Sequence, residues 1–125
     1  MNENRHICRA KRDPDGRWFE GYYVMLQGID SPLHLIIDRT GQYIRIGPET
    51  VGECTGCLDV QGRLIFEGDI ICEGNSKKPL IVTYDGQLGR FECYDEKADE
   101  TWTFLDMNPD LIEIIGNVHE EQMKL

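Results

Sequence analysis

Glu67 and Asp69 flank Gly68, and they are the pair of carboxylates in this sequence best placed for acid–base or metal chemistry. Residues two apart on a β-strand point to the same face, so both carboxylates would meet one substrate or one metal ion. The structural alternative is that Gly68 permits a bulge or a tight bend. Glu67 and Asp69 would then accept hydrogen bonds from backbone N–H groups across that bend. We favour the structural role and predict no catalytic residue.

The cysteines could bind zinc or carry out redox chemistry, and Cys54 and Cys57 form the one CxxC motif. A structural zinc site needs a second close pair, and Cys72 and Cys93 each stand alone. Redox chemistry needs the first cysteine at a helix N-terminus, and no helical pattern follows Cys57. We therefore expect reduced thiols that fill apolar sites, with no metal and no cofactor.

A basic, aromatic stretch near the N-terminus is a candidate nucleic-acid contact. Residues 1–17 carry five basic and three acidic side chains. Bases could stack on aromatic rings that lie beside arginines. The alternative is that Phe19, Tyr22 and Tyr23 alternate between the core and cross-strand pairs, which the acidic composition favours. The candidate contact residues are Arg5, Arg9, Arg12 and Trp18.

The charge of the chain is strongly acidic, at −10 for 125 residues. Residues 95–125 carry nine acidic and two basic side chains. Such a run is typical of a solvated surface that maintains solubility. It could also meet a basic partner or mimic nucleic acid in the binding groove of a host protein. An acidic chain repels phosphate backbones, so nucleic acid is the less favoured partner.

Short apolar runs separated by turn residues predict a mainly β fold with little helix. The strongest strand patterns lie at residues 6–10, 17–27, 33–38, 42–46, 63–72, 80–84, 90–94 and 101–105. Residues 48–62 look mainly irregular, with short extended pieces, because four glycines punctuate them or their immediate border. Residues 111–118 fit a terminal strand because Gly116 and Asn117 interrupt the alternative helical stripe. We expect helical turns at residues 106–110 and after His119.

The length and the number of strands predict a small barrel or sandwich of antiparallel strands. A chain of 125 residues is long enough to bury a core and fits one domain, 1–125. Within it, residues 1–47 and 48–125 could form two subdomains. The apolar runs are far shorter than a membrane span, and residues 1–6 lack the apolar segment of a secretory signal. We therefore expect a cytoplasmic protein.

Residues 48–71 resemble the YopX-like family of small bacteriophage and prophage proteins. The family pattern is threonine-glycine, an aspartate, a glycine turn, and then an apolar pair before glutamate-glycine-aspartate-isoleucine. Residues 9–24 and 82–118 also resemble the family, so the likeness covers nearly the whole chain. Cys57 departs from the leucine usual at its position, and Cys54 stands where an aromatic residue is common. The motif is carried by Thr55, Gly56, Asp59, Gly62, Phe66, Glu67, Gly68, Asp69 and Ile70.

The resemblance implies β structure, a phage or prophage origin and a bacterial cytoplasm. It assigns no catalytic residues, so we take the motif positions as determinants of the fold. We expect a non-enzymatic accessory protein that binds a host or phage protein, with self-assembly into a homo-oligomer also open. The alternatives are a nucleic-acid-associated module and an acidic DNA mimic that inhibits a host protein.

Overall fold

The computed structural model describes residues 6–13, 15–74, 76 and 78–120. Antiparallel strands form most of this part of the chain, which confirms the mainly β prediction. Short 3₁₀ helices occupy Pro48–Thr50, Phe104–Asp106 and Pro109–Leu111. The strands are β1 (Cys8–Lys11), β2 (Trp18–Leu26), β3 (Leu33–Ile37), β4 (Tyr43–Arg45), β5 (Gly52–Leu58), β6 (Leu64–Phe66), β7 (Asp69–Glu73), β8 (Leu80–Asp85), β9 (Arg90–Asp95), β10 (Glu100–Thr103) and β11 (Ile112–Asn117).

The chain divides into two compact units, Met1–Cys54 and Thr55–Leu125. In the first unit the strand order is β4-β3-β2-β1-β5, and every pairing is antiparallel. The long strand β2 is rich in aromatic and apolar residues, which fit a pleated surface. One side of this sheet buries a cluster of small and β-branched side chains. That cluster consists of Cys8, Ala10, Ile36, Ile44 and Ile46, with Phe19 and Val51 packed against it.

The second unit contains a five-stranded antiparallel sheet in the order β10-β9-β8-β7-β11. Strand β5 runs past the boundary between the units, and β6 pairs with it. Thr55 Oγ1 donates to the Ile65 carbonyl oxygen at 2.8 Å. The strand pattern at 111–118 is confirmed as β11, and 3₁₀ turns flank Met107 as the sequence suggested. The core of the second unit consists of Ile65, Ile71, Leu80, Val82, Cys93, Met107 and Ile112.

Two sequence-based expectations need correction. Residues 48–62 are not mainly irregular, because Gly52–Leu58 forms β5. Glycine has little intrinsic preference for strands, so the sequence around Gly52 and Gly56 did not predict a strand there. Pairing with β1 and β6 holds this segment in the extended conformation. The sheets also remain open in the described residues: neither strand order closes into a barrel. The helical turn expected after His119 falls largely on residues 121–125, which lie outside the described part.

The acidic charge is concentrated in the second unit. Residues 1–54 carry seven basic and eight acidic side chains, whereas residues 55–125 carry six basic and fifteen acidic ones. No helix in the described residues has the length and apolar character needed to cross a membrane.

Candidate functional site

Asp69 lies at the start of β7 and is completely buried. One of its carboxylate oxygens accepts the Phe66 backbone N–H at 2.8 Å. The other accepts the Asn117 side-chain amide at 2.9 Å. The carboxylate therefore closes the turn between β6 and β7 and ties it to β11. A buried acceptor of this kind stabilises the fold only while both donors face it.

Gly68 makes that turn possible, because its φ of +95° lies where side chains with a Cβ are strained. Its N–H donates to the Val82 carbonyl oxygen at 2.8 Å, and its carbonyl oxygen accepts the Val118 N–H at 2.9 Å. Glu67 is half-buried at the same turn. The two motif carboxylates thus flank a tight turn between two strands.

Asp59 is the second buried carboxylate of the motif, at 5% exposure. Its Oδ1 accepts the backbone N–H groups of Gln61 and Arg63, each at 2.9 Å. Its Oδ2 accepts the Arg63 guanidinium at 3.0 Å and the Ile114 N–H at 3.2 Å. Burial acts to raise the pKa of Asp59, but the backbone N–H groups and the Arg63 guanidinium outweigh it and lower that pKa.

The loop at residues 59–63 covers the edge of β11 that does not pair with β7. The Val60 N–H donates to the Ile112 carbonyl oxygen at 2.8 Å, and Arg63 Nη2 donates to the Ile114 carbonyl oxygen at 3.0 Å. Together with the bond from Ile114 to Asp59, these contacts satisfy backbone groups that an uncovered edge would expose. Asp59 and Arg63 therefore act as an edge cap.

The remaining motif residues support these two turns. Gly56 and Gly62 have φ of +84° and +80°, respectively. Thr55 Oγ1 also accepts the Cys57 N–H at 3.0 Å. Phe66 is 1% exposed, and Ile70 pairs with Ile81 of β8. Within the described residues, no group of three or more His, Cys, Asp or Glu side chains is arranged to hold a metal ion.

The cysteines are all free thiols. Cys54 is 1% exposed, whereas Cys57 is exposed, so the two sulfurs of the CxxC motif lie in different environments. Burial raises the pKa of Cys93 to about 12, with smaller contributions from the charges of Cys57 and Glu92. Because the thiolate is the reactive form, Cys93 is a poor nucleophile.

The basic, aromatic residues separate onto the two sides of the first sheet. The Arg9 guanidinium lies 4.8 Å and the Lys11 amine 5.4 Å from the centre of the Trp18 ring. Arg12 lies 4.9 Å from the centre of the Phe19 ring and forms an ion pair with Asp15. That hydrogen-bonded pair lowers the pKa of Asp15 to about 2.

The pairing of the strands shows which candidates share a face. Lys11 pairs with Trp18, and Tyr22, Ile37 and Tyr43 form one row across β2, β3 and β4. Alternation places these residues opposite the core around Ile36. We call the side that bears Arg9, Lys11, Trp18, Tyr22, Tyr43 and Arg45 the outer face. Arg12 packs on the other side, and Arg5 lies outside the described residues.

Sequence reasoning did not connect Tyr43 and Arg45 with this group. Alternation within β2 suggests that Trp18 and Tyr22 share a side, since they are four residues apart. The register of β3 and β4 was needed to place Tyr43 beside them. That register depends on the turns between the strands, which the pattern of residue types leaves open.

Comparison with known protein families matches residues 9–125 to the family described as YopX protein. A search of the curated proteins found no match. The family match includes all of β1 except Cys8, the two motif turns and β11, and it confirms the resemblance inferred from the motif residues. This chain therefore belongs to the YopX family.

Proposed function

We propose that this chain is a non-enzymatic phage or prophage accessory protein that binds a protein partner in the bacterial cytoplasm. The contact surface in this proposal lies along β11 of the second unit. The same surface would serve whether the partner is a host protein, a phage protein or a second copy of this chain.

The supporting observation is a group of exposed apolar side chains within or next to β11. Ile115 is 49% exposed, at a point where the pairing of β11 with β7 shifts register. Leu111 and Val118, at 45% and 40%, lie immediately before and after the strand, and Val60, at 49%, lies beside it. We call these four residues the β11 surface. Exposed apolar surface is a common feature of protein interaction sites.

The charge of the second unit indicates what kind of partner fits. Fifteen acidic side chains against six basic ones favour a partner with a basic surface. Opposite charge speeds the encounter and selects between partners, while the apolar residues supply most of the affinity. A basic partner would be a DNA-binding protein if the DNA-mimic alternative is right.

The motif carboxylates support a non-enzymatic role. Both oxygens of Asp69 accept hydrogen bonds from the protein, and the side chain has no exposed surface. Both oxygens of Asp59 are likewise bonded to backbone and guanidinium donors. General acid–base catalysis needs a group within hydrogen-bonding reach of the substrate. These two residues are engaged in maintaining turns instead.

The test is affinity capture from nuclease-treated host lysate with the tagged wild type and two matched variants. Ile115→Asp places a charge in the β11 surface, and Ile29→Asp makes the same change at a fully exposed position of the first unit. We expect the same protein to be captured by the wild type and Ile29→Asp and to be lost with Ile115→Asp. Val118→Asp provides a second disruption if Ile115→Asp lowers the melting temperature.

Equal capture by all the variants would contradict the β11 surface as the binding site. Displacement of the captured protein by duplex DNA would point to the mimic alternative. Sedimentation of the purified protein tests self-assembly with the same variants. A dimer that dissociates in Ile115→Asp would identify the partner as a second copy.

A further inference from the structure

The outer face of the first unit combines two exposed tyrosines with three cations. Tyr22 is 56% exposed and Tyr43 is 62% exposed. They lie on β2 and β4, one strand apart from each other across Ile37. Neighbouring strands are about 4.8 Å apart, so the two Cα atoms are separated by about 10 Å. Both rings are open to a ligand that approaches the sheet from solvent.

Cations lie in rows on either side of the row that holds the tyrosines. Arg45 is exposed and lies next to Tyr43 in the adjacent row, where it pairs with Leu35. Arg9 and Lys11 approach the Trp18 ring from β1. Glu20, the partner of Arg9 in the pairing, is the acidic residue on this side of the described strands β1–β4. The outer face is therefore basic, although the chain as a whole is acidic.

We propose that the outer face binds single-stranded nucleic acid. Bases stack on Tyr22 and Tyr43, while Arg9, Lys11 and Arg45 contact the phosphates. Flat rings at the surface of a sheet recognise unpaired bases, because a base in a duplex has both of its faces covered by its neighbours. Two observations favour this ligand: the positive charge of the outer face complements the phosphates, and the row of tyrosines offers rings on which bases can stack. This activity is separate from the protein-binding function proposed for the second unit.

The negative charge of the second unit opposes such binding, and dissolved ions screen this repulsion. Charges farther apart than about 8 Å are largely screened at physiological ionic strength. Phosphates in contact with Arg45 or Lys11 interact mainly with these cations. Binding through such contacts therefore depends strongly on the salt concentration. Three phosphate contacts to a single strand predict that log Kobs falls with log salt concentration with a slope of about −2.

The experiment is fluorescence anisotropy with labelled oligothymidine and oligouridine of about 20 nucleotides. A duplex of the same length is the comparison. We expect the wild-type protein to bind both single strands with a dissociation constant of roughly 1–100 µM at low salt, and the duplex more weakly. Tyr22→Ala and Tyr43→Ala should each weaken binding about 5-fold or more, because each removes a stacking contact. The ratio between oligothymidine and oligouridine then shows whether DNA or RNA is the better ligand.

The charge test uses two variants with the same change in net charge. Arg45→Gln removes a cation from the outer face and should reduce the salt slope by about 0.7. Arg12→Gln removes a cation that packs against Phe19 on the other side, and should leave that slope unchanged. Melting temperatures of all the variants establish that they remain folded. Both tyrosines are exposed, so their removal should not unfold the sheet.

Three results would overturn the proposal. The first is no binding of either single strand at low salt, even with about 100 µM protein. The second is an equal loss of binding in Arg12→Gln and Arg45→Gln, which would indicate non-specific electrostatic attraction of the strand and no defined site on the outer face. The third is duplex binding as tight as single-strand binding, which would exclude stacking on the tyrosines. None of these results bears on capture through the β11 surface, so the two proposals fail independently.

Discussion

Asp69 is fully buried and ionisable, so its place in the fold depends on the two donors that face it. Asp69→Asn keeps one acceptor oxygen and replaces the other with an NH₂ group. That group would point at the Phe66 N–H or at the Asn117 amide, each of which is a donor. The Asn117 carbonyl oxygen is bonded to the His119 N–H, which opposes a flip of the amide.

We therefore expect Asp69→Asn to lower the free energy of unfolding by about 1–3 kcal/mol, because a buried donor loses its acceptor. Urea denaturation followed by circular dichroism measures this change. Asp30→Asn, at an exposed position, is the control and should leave the urea midpoint within error. Unchanged stability in Asp69→Asn together with lost function would instead favour a chemical role for the carboxylate.

The thiols differ in exposure, and this predicts their reactivity. Cys57 is exposed, whereas Cys93 is fully buried with a pKa raised to about 12. A thiol reagent such as dithionitrobenzoate should modify Cys57 rapidly in the native protein and reach Cys93 only on unfolding. Cys57→Ser should abolish the fast phase. A fast phase that persists in this variant would show that a buried thiol reacts in the native fold.

At the scale of elements, β11 joins the two motif turns. Asp69 reaches it through Asn117, and Asp59 reaches it through the Ile114 N–H. The first turn connects β6 to β7, and the second covers the other edge of β11. The motif thus specifies how the sheet of the second unit begins and how its edge is closed. This explains why its aspartates are buried and its glycines have positive φ.

The pKa of Asp59 predicts how the edge cap responds to acid. The pKa of Asp59 is lower in the folded protein than in the unfolded chain, so between these two values the unfolded chain binds more protons. The stability that the Asp59 carboxylate contributes is present above about pH 5 and is lost as the pH falls through the folded pKa. Asp59→Asn should therefore lower the free energy of unfolding at neutral pH. It should also make the decrease of that free energy at acidic pH less steep than in the wild type.

Urea unfolding between about pH 3 and pH 7 tests this expectation. Asp30→Asn, at an exposed position of the first unit, is the control, since this side chain does not belong to the edge cap. The same acid dependence in Asp59→Asn as in the wild type would contradict the cap.

Sequence patterns predicted the strands of β-branched and aromatic residues well, β11 among them. They missed β5, because a run of glycine, cysteine and threonine carries little strand signal without its neighbours. The role of Asp59 could not be predicted from local sequence, because Ile114 is 55 residues away. The position of Tyr43 in the same row as Tyr22 could not be predicted either, because it depends on the pairing of β2, β3 and β4. The turn at Gly68 could be predicted, because it depends on adjacent residues.

At the scale of the whole molecule, the uneven charge is the property that most affects behaviour in solution. The first unit is nearly balanced, whereas the second has nine more acidic than basic side chains. Unscreened repulsion among these carboxylates destabilises the folded state. The Debye length falls from about 30 Å at 0.01 M salt to about 10 Å at 0.1 M. Added salt should therefore stabilise this protein.

We expect the melting temperature to rise by about 2–5 °C when sodium chloride is raised from about 0.01 M to 0.2 M. Glu100→Lys removes repulsion within the second unit, where Glu100 pairs with Asp95 across β9 and β10, and should reduce this rise. Glu20→Lys makes the same charge change in the first unit but places a second cation opposite Arg9, so it should not reduce the rise. A melting temperature that falls with salt would mean that ion pairs such as Lys78–Asp95 outweigh the repulsion. An equal effect of the two variants would mean that only the net charge matters, and not its concentration in the second unit.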